Sequence, residues 1–304
     1  MSYFLRGFKN LNSSGFHSLK RTGHNSMHQE KLIDLHMHSH YSDGQLSPAE
    51  LVDIAAGKSL KAIALADHDC LDGVGEYIEA ANRAGIETIS GVELSCIYKG
   101  RDLHILGYGV DENDKTFQDM LLKFRDTREH RGLKIIEKLG ELGVHLDAAK
   151  VLEKAGDGAL GRPHIAEALV EGGYVKVFGE AFDKYIGEDC PAYVDKYKMS
   201  PKEAVQHIHR AGGLAFVAHP GFYMEDLDAF YELLGYGFDG VEVNHSKHDE
   251  QTAAQLSVIA DERGLLKSGG SDFHGFARKE SIGDPKVPYE YFSKIAERLD
   301  RRVA

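Results

Sequence analysis

The stretch IDLHMHSHYSDG, Ile33 to Gly44, runs from an apolar segment into His36, His38, His40 and Asp43. Successive side chains of a strand point to opposite faces, so the alternating histidines can share one side. That arrangement suits a metal cluster, but a surface strand with titratable groups would look similar. The choice depends on whether later segments bring more ligand-type residues to the same place.

Outward from this stretch the pattern alternates. KLIDLH reads as a buried strand, and SPAELVDIAAGKS as a helix with Ser47 as N-cap, Pro48 in the first turn and Glu50 closing a capping box. KAIALAD is the next strand, VGEYIEAANRAG a helix stopped by Gly85, and IETISGVELS a third strand. Such alternation implies parallel strands joined by helical crossovers. Only ten residues separate Glu93 from the apolar run HILGYGV. A parallel crossover needs roughly a dozen or more, so this link reads as a hairpin that sets His104 beside Glu93.

From about Asp111 to Lys198 the periodicity is helical. The α/β pattern then resumes with SPKEAVQHIHRAGG, a second Ser-Pro-x-Glu capped helix, and the strand LAFVAHP. A helix near Glu225–Leu234 leads to GVEVNHS, and one over Asp249–Arg263 leads to LLKSGGSDFHG. The expected fold is α/β: an incomplete TIM-like barrel of about seven strands. Residues 30–110 and 199–304 would form the barrel and 111–198 an inserted helical cap. Residues 1–29 contain Arg6, Lys9, Lys20 and Arg21 but no acid. This start has the composition of a transit peptide, yet it reads more simply as a disordered extension or leader ahead of Met27.

Ligand-type side chains recur at the strand ends. His36 and His38 end the first strand, with Asp43 in the following loop; Asp67, His68 and Asp69 end the second, and Glu93 the third. His219 ends the fifth, Asn244 and His245 the sixth, Asp272 and His274 the seventh. One such histidine would ordinarily be structural. A whole rim of them at the C-terminal strand ends is hard to explain by packing. Imidazole and carboxylate donors without cysteine suit Mn, Zn, Fe or Mg better than a sulfur-selective site. Their number implies two or three divalent ions, with a carboxylate such as Glu93 as the natural bridge. Clustered cations activate water, neutralise phosphoryl oxygens and stabilise a leaving oxygen. Phosphate ester hydrolysis is therefore the leading chemistry, with amide or deaminase hydrolysis behind it.

Bulk properties narrow the partners. The chain has 304 residues, and a net charge of −12 argues against a broad basic surface for duplex DNA. It does not exclude an anionic substrate held by local cations. No apolar run has the length of a membrane span, and Cys70, Cys96 and Cys190 are too few for a disulfide framework, which points to a cytoplasmic setting.

DLHMHSHYSDG, ALADHDCLDG, GVELSC, LHILGYG, VAHPG and SGGSDFHG, in this order, resemble the PHP (polymerase and histidinol phosphatase) superfamily. The likeness is greatest to its TrpH/YciV-type branch of nucleoside 3′,5′-bisphosphate phosphatases and RNase AM. It covers about Leu32 to the end. The resemblance implies a distorted (β/α)7 barrel with a trinuclear site, commonly of manganese, held by His36, His38, Asp43, His68, Glu93, His104, His219, Asp272 and His274. Asp43 and His219 would take direct catalytic roles. Met37, His40, Ala66 and Cys70 depart from the usual motif residues without removing a ligand; His40 reads as solvent-facing and Cys70 as packed.

In the helical region Phe117, Leu121, Phe124, Arg128, Arg131, Ile135, Leu139 and Leu142 follow steps of three and four, so they share about one helix face. Arg128 and Arg131 either snorkel and pair with acids or grip a phosphate bidentately. The resemblance favours the grip, because relatives have an Arg-x-x-Arg element here that contacts substrate. Arg162 and His164 in GRPH open another helix, where anion binding competes with structural capping. Arg101, in the hairpin, is a third candidate.

The expected activity is removal of the 3′-phosphate from nucleoside 3′,5′-bisphosphates, with cap arginines holding the 5′-phosphate. Alternatives are 5′→3′ exoribonuclease action on short 5′-phosphorylated RNA, histidinol phosphatase activity, or a non-catalytic PHP module. No duplex DNA, membrane or obligate protein partner is expected.

Overall fold

The computed structural model describes residues 31–155, 160–195, 199–276 and 278–303, without the side chains of Arg125, Arg128, Ala155 and Val303. The expectation for residues 1–29 lies outside the described residues.

The first half alternates as its sequence demands: β1 (Leu32–Met37), α1 (Pro48–Gly57), β2 (Ala62–Leu65), α2 (Val74–Ala84), β3 (Glu87–Ile89), β4 (Gly91–Tyr98) and β5 (Arg101–Tyr108). Ser47 and Glu50 form the capping box of α1, each side chain accepting from the other's backbone N–H. Gly85, with φ of 69°, ends α2 in the left-handed conformation that a side chain disfavours.

IETISGVELS, read as one strand, is two. The chain turns at Ser90 and leaves one sheet for the other. Gly91 makes this corner: a Cβ there would lie 2.3 Å from the Leu65 carbonyl oxygen. The hairpin expectation holds. β4 and β5 are antiparallel, pairing Glu93 with Leu106 and Ser95 with His104.

Between β5 and β6 the described residues contain helices and no strand: α3 (Lys115–Glu141), α4 (Ala148–Ala155), α5 (Arg162–Glu171), α6 (Phe178–Ala181) and a π-turn at Phe182–Ile186. The long α3 joins two cores. Phe117, Met120, Leu121 and Phe124 pack with Leu94, Ile105 and Val217, whereas Ile135, Ile136 and Leu139 pack with Val151, Ile165 and Leu169. Leu142, expected on the buried face, is 46% exposed because the helix ends one residue earlier and Leu142 is its C-cap.

The second half supplies α7 (Pro201–Arg210), β6 (Leu214–Val217), α8 (Leu227–Leu234), β7 (Gly240–His245), α9 (Glu250–Arg263), β8 (Leu266–Gly270), β9 (Val287–Pro288) and α10 (Tyr289–Val303). Ser200 and Glu203 repeat the capping box on α7. The strands form two sheets, ordered β3-β2-β1-β9 and β4-β5-β6-β7-β8, rather than one closed sheet.

Two seams join the sheets, both at residues that carry ligand-type side chains. Asp272 N–H donates to the His36 carbonyl at 2.8 Å, and His38 N–H to the Phe273 carbonyl at 2.9 Å. Glu93 N–H donates to the Asp67 carbonyl at 3.1 Å. The first seam requires Gly270, where a Cβ would sit 2.4 Å from the His36 nitrogen. No helix among the described residues is long and apolar enough to cross a membrane.

Candidate metal centre

His36 and His38 are fully buried on one side of β1, while Met37 between them packs among Leu51, Leu65 and Phe273 on the other. Alternation thus delivers two imidazoles inward. His40, beyond the strand, is exposed and stacks on Tyr41 at 4.5 Å, apart from the cluster.

The loop carrying Asp43 is fixed from below by Asp67. This buried carboxylate accepts from Ser39 N–H at 2.7 Å and from the hydroxyls of Ser39 and Ser42, both at 2.6 Å. Asp69 accepts from Ser95 N–H at 2.7 Å. These acids of ADHD hold backbone in place, and His68 between them turns to the centre.

Glu93 is that centre. Its Oε1 lies 3.0 Å from both His104 Nδ1 and His219 Nε2, and its Oε2 lies 3.2 Å from His36 Nε2 and His38 Nε2 and 3.3 Å from His68 Nδ1. Asp272 Oδ1 sits 3.2 Å from His38 Nε2, and His274 Nε2 sits 3.2 Å from Asp43 Oδ1. Donor atoms gather within 4.8 Å in overlapping groups: His38, Asp43, His68 and His274; His36, His38, Glu93 and Asp272; His68, Glu93 and His104. All nine residues expected as ligands meet here, His219 through its contact with Glu93. His219 is held with φ of 30° and ψ of 55° immediately before Pro220, a strained backbone beside the cluster.

Electrostatics follow from this crowding. Burial opposes charge on every group, and for His36, His38 and Glu93 the opposite charges outweigh it. Asp272 and Glu93 push His38 up to about 9. Glu242, Glu93 and Asp272 raise His36 well above the ordinary imidazole range. The imidazoles of His68, His36 and His104 hold Glu93 well below the usual carboxylate range. For His68 burial wins, and its pKa falls well below normal.

The donors fit divalent cations. His36 Nε2, both ring nitrogens of His38, His68 Nδ1 and Glu93 Oε2 are buried without a hydrogen-bond partner. Orphaned polar atoms of this kind are costly unless something pairs with them. Nitrogen and oxygen donors converging on one carboxylate suit clustered divalent cations.

Two buried residues beside the cluster escaped the sequence reading as participants. Glu242 Oε1 faces His36 Nδ1 at 3.0 Å, and its Oε2 accepts from His219 N–H at 2.7 Å. His245, noted only as a strand-end residue, has Nε2 3.4 Å from Asp272 Oδ2. A lone acid inside the apolar run GVEVN was the available signal. The cleft over the cluster, about 290 Å³, is also lined by Lys247, Arg278 and Phe222. Lys247 Nζ is 3.2 Å from Asp272 and Arg278 Nη2 is 3.7 Å from Asp43.

The cap candidates behave differently. Arg131 is only 9% exposed; its Nε donates to the Val194 carbonyl at 2.7 Å and its guanidinium lies over Tyr193. His164 Nδ1 accepts from Gly161 N–H at 3.1 Å, which is helix capping. Arg162 lies 3.5 Å from Asp102, a cleft residue, and over Phe182. None of these three lines the cleft. Arg101 is exposed at the hairpin end near Tyr223. The side chain of Arg128 lies outside the described residues. Cys70 is partly buried, and burial pushes its thiol up to about 12, which suits packing and not nucleophilic attack.

A family model of the PHP domain matches residues 34–181. A 5′-3′ exoribonuclease of Haemophilus influenzae is 37% identical over 252 residues, covering 80% of this chain and 90% of that protein. The chain belongs to the PHP family. A 3′,5′-nucleoside bisphosphate phosphatase of Chromobacterium violaceum is 36% identical over 257 residues, covering 80% of this chain and 87% of that protein. A solved structure from Bifidobacterium adolescentis, described as a metal-dependent phosphoesterase, superposes with a TM-score of 0.81 at 27% identity over 88% of this chain and 96% of that one. The PHP cluster of this chain is thus set in an α/β fold shared with phosphoesterases.

Proposed function

We propose that this PHP chain is a metal-dependent phosphoesterase that removes the 3′-phosphate of nucleoside 3′,5′-bisphosphates. The observation that carries the reading is Glu93, a buried carboxylate ringed by five imidazoles at 3.0 to 3.3 Å. His36, His38, Asp43, His68, Glu93, His104, His219, Asp272 and His274 would hold the ions; their nitrogen and oxygen donors suit Mn, Zn, Fe or Mg, and the resemblance to the PHP superfamily favours manganese among these. The name of the Chromobacterium relative supports the substrate class. The two seams between the sheets support reading them as halves of one distorted barrel, with residues 111–198 as its cap.

Bound cations would supply an activated water and charge neutralisation at the phosphoryl group. The chain's own part is placement. Lys247 and Arg278, already beside the carboxylates, take the phosphoryl oxygens when an anion enters. Asp43 orients the attacking water, and His219, strained toward the cluster, faces the leaving side. The water oxygen bonds to phosphorus as the water gives up a proton, the P–O3′ bond breaks with its electron pair going to oxygen, and the 3′ oxygen takes up one proton in exchange, leaving a 3′-hydroxyl and inorganic phosphate.

Names of relatives also support a second reading, 5′→3′ exoribonuclease action, which would use the same centre. The test is incubation of the manganese-loaded protein with a nucleoside 3′,5′-bisphosphate, with a chelated control, and chromatographic separation of products. A 5′-nucleotide plus phosphate, abolished by chelation, is expected. Inert bisphosphate alongside trimming of 5′-phosphorylated oligoribonucleotides would replace the first reading with the second.

A further inference from the structure

Among the described residues, Phe222 is the one exposed large apolar side chain that also lines the cleft, with 67% of its surface accessible. Its backbone is firmly held. Pro220–Tyr223 is a short 3₁₀ turn directly after His219. Gly221 N–H donates to His248 Nε2 at 3.0 Å, and His248 Nδ1–H donates to the Val243 carbonyl at 2.9 Å. On the other side the Tyr223 hydroxyl donates to the Asp102 carbonyl at 3.2 Å. A Cβ on Gly221 would meet the His248 ring at 2.8 Å, so the turn is tightly packed. A clamped turn thus holds an uncovered ring in the wall of a cleft whose other apolar lining residues, Leu103, Ala218 and Tyr223, are buried and whose remaining residues are ionisable.

We infer that Phe222 is a stacking platform for the nucleobase of the substrate, so that phosphate esters bearing a base are selected over base-free ones. The inference rests on the phosphoesterase reading above and adds a specificity residue to it. The charged residues of the cleft attract the phosphate, and Leu103, Ala218 and Tyr223 are largely covered, so the ring exposed to a planar base is that of Phe222. Every base has a π-face, so a phenyl ring without a polar handle rewards the presence of a base and not its identity. Because the turn is fixed, little ordering cost is added on binding.

The test compares the manganese-loaded wild type, Phe222→Ala and Phe222→Trp on adenosine 3′,5′-bisphosphate and on its base-free analogue, 1,4-anhydroribitol 3,5-bisphosphate. The ratio of kcat/KM between the two substrates is expected to fall roughly tenfold or more in Phe222→Ala and to persist in Phe222→Trp. An unchanged ratio in Phe222→Ala overturns the inference. Binding of the 2-aminopurine bisphosphate, followed by quenching of its emission, separates the two claims. Quenching that depends on Phe222 without any turnover overturns the hydrolytic reading and keeps the platform. Turnover without Phe222-dependent quenching overturns the platform alone, and absence of both overturns both.

Discussion

Glu242 shows what a single buried acid can decide. It accepts from two donors, the His36 ring and the His219 backbone, and so fixes one imidazole's tautomer and the position of another residue of the cluster. Its pKa, which burial alone would raise, is held at about 2 by His36 and His245. In Glu242→Gln one acceptor becomes an N–H donor facing another donor. Partners of this kind tune metal affinity by roughly 10- to 100-fold. The expected outcome is a loss of manganese affinity of that size with the fold retained, measured by metal titration and circular dichroism; wild-type affinity would reduce Glu242 to a packing role. Glu93→Gln should do more, lowering the number of ions bound per chain as measured by elemental analysis, because one oxygen facing three imidazoles is replaced by a donor. Strand alternation and strand ends made a shared rim of ligand-type residues legible in the sequence, and the family resemblance picked the nine ligand candidates out of it. Glu242, Lys247 and Arg278 were not, since their roles depend on which neighbours the fold brings near.

At the scale of elements, local signals proved the most legible. Both Ser-Pro-x-Glu capping boxes, the Gly85 stop and the β4–β5 hairpin depend on residues a few positions apart. The division of IETISGVELS did not show, because it depends on Gly91 passing against Leu65, far away in sequence. Two sheets in place of a single closed one likewise reflect strand pairing that periodicity does not encode. The arginine stripe of α3 illustrates a different difficulty: periodicity assigns a face but not what covers it. Arg131 is covered by Tyr193 and Val194. Arg131→Ala should therefore lower the thermal midpoint, by about 1–3 kcal/mol of stability, through a vacated carbonyl and lost packing. A selective loss of 5′-phosphorylated substrates at unchanged stability would return Arg131 to the phosphate grip. Ser200→Ala, which removes the cap of α7, should cost about 1 kcal/mol in chemical denaturation.

For the whole molecule, the cluster links metal loading to protons and to stability. In the metal-free protein the pKa values of His36 and His38 stand above the usual value near 6.5, that of His38 at about 9. Both are then protonated near pH 7, and cations must displace these protons to reach the nitrogens. Calorimetric titration with manganese at about pH 7, in two buffers of different ionisation enthalpy, should give heats that differ between the buffers, because binding releases protons. Equal heats would mean that the imidazoles are already neutral. The sign of the stability effect follows. A histidine whose folded-state pKa is raised contributes stability that is fully present below about 6.5 and lost as pH climbs through about 9. Glu93, Asp43 and Asp272, whose pKa values are lowered, contribute stability above the ordinary carboxylate range that is lost as pH falls. The chelated protein should thus melt at a lower temperature at about pH 9 than at about pH 6. Manganese should remove that decline, because bound cations need the neutral imidazoles that high pH provides and stabilise the folded chain by mass action. Parallel melting curves with and without metal across this range would show that the cluster's charges are balanced by the chain alone.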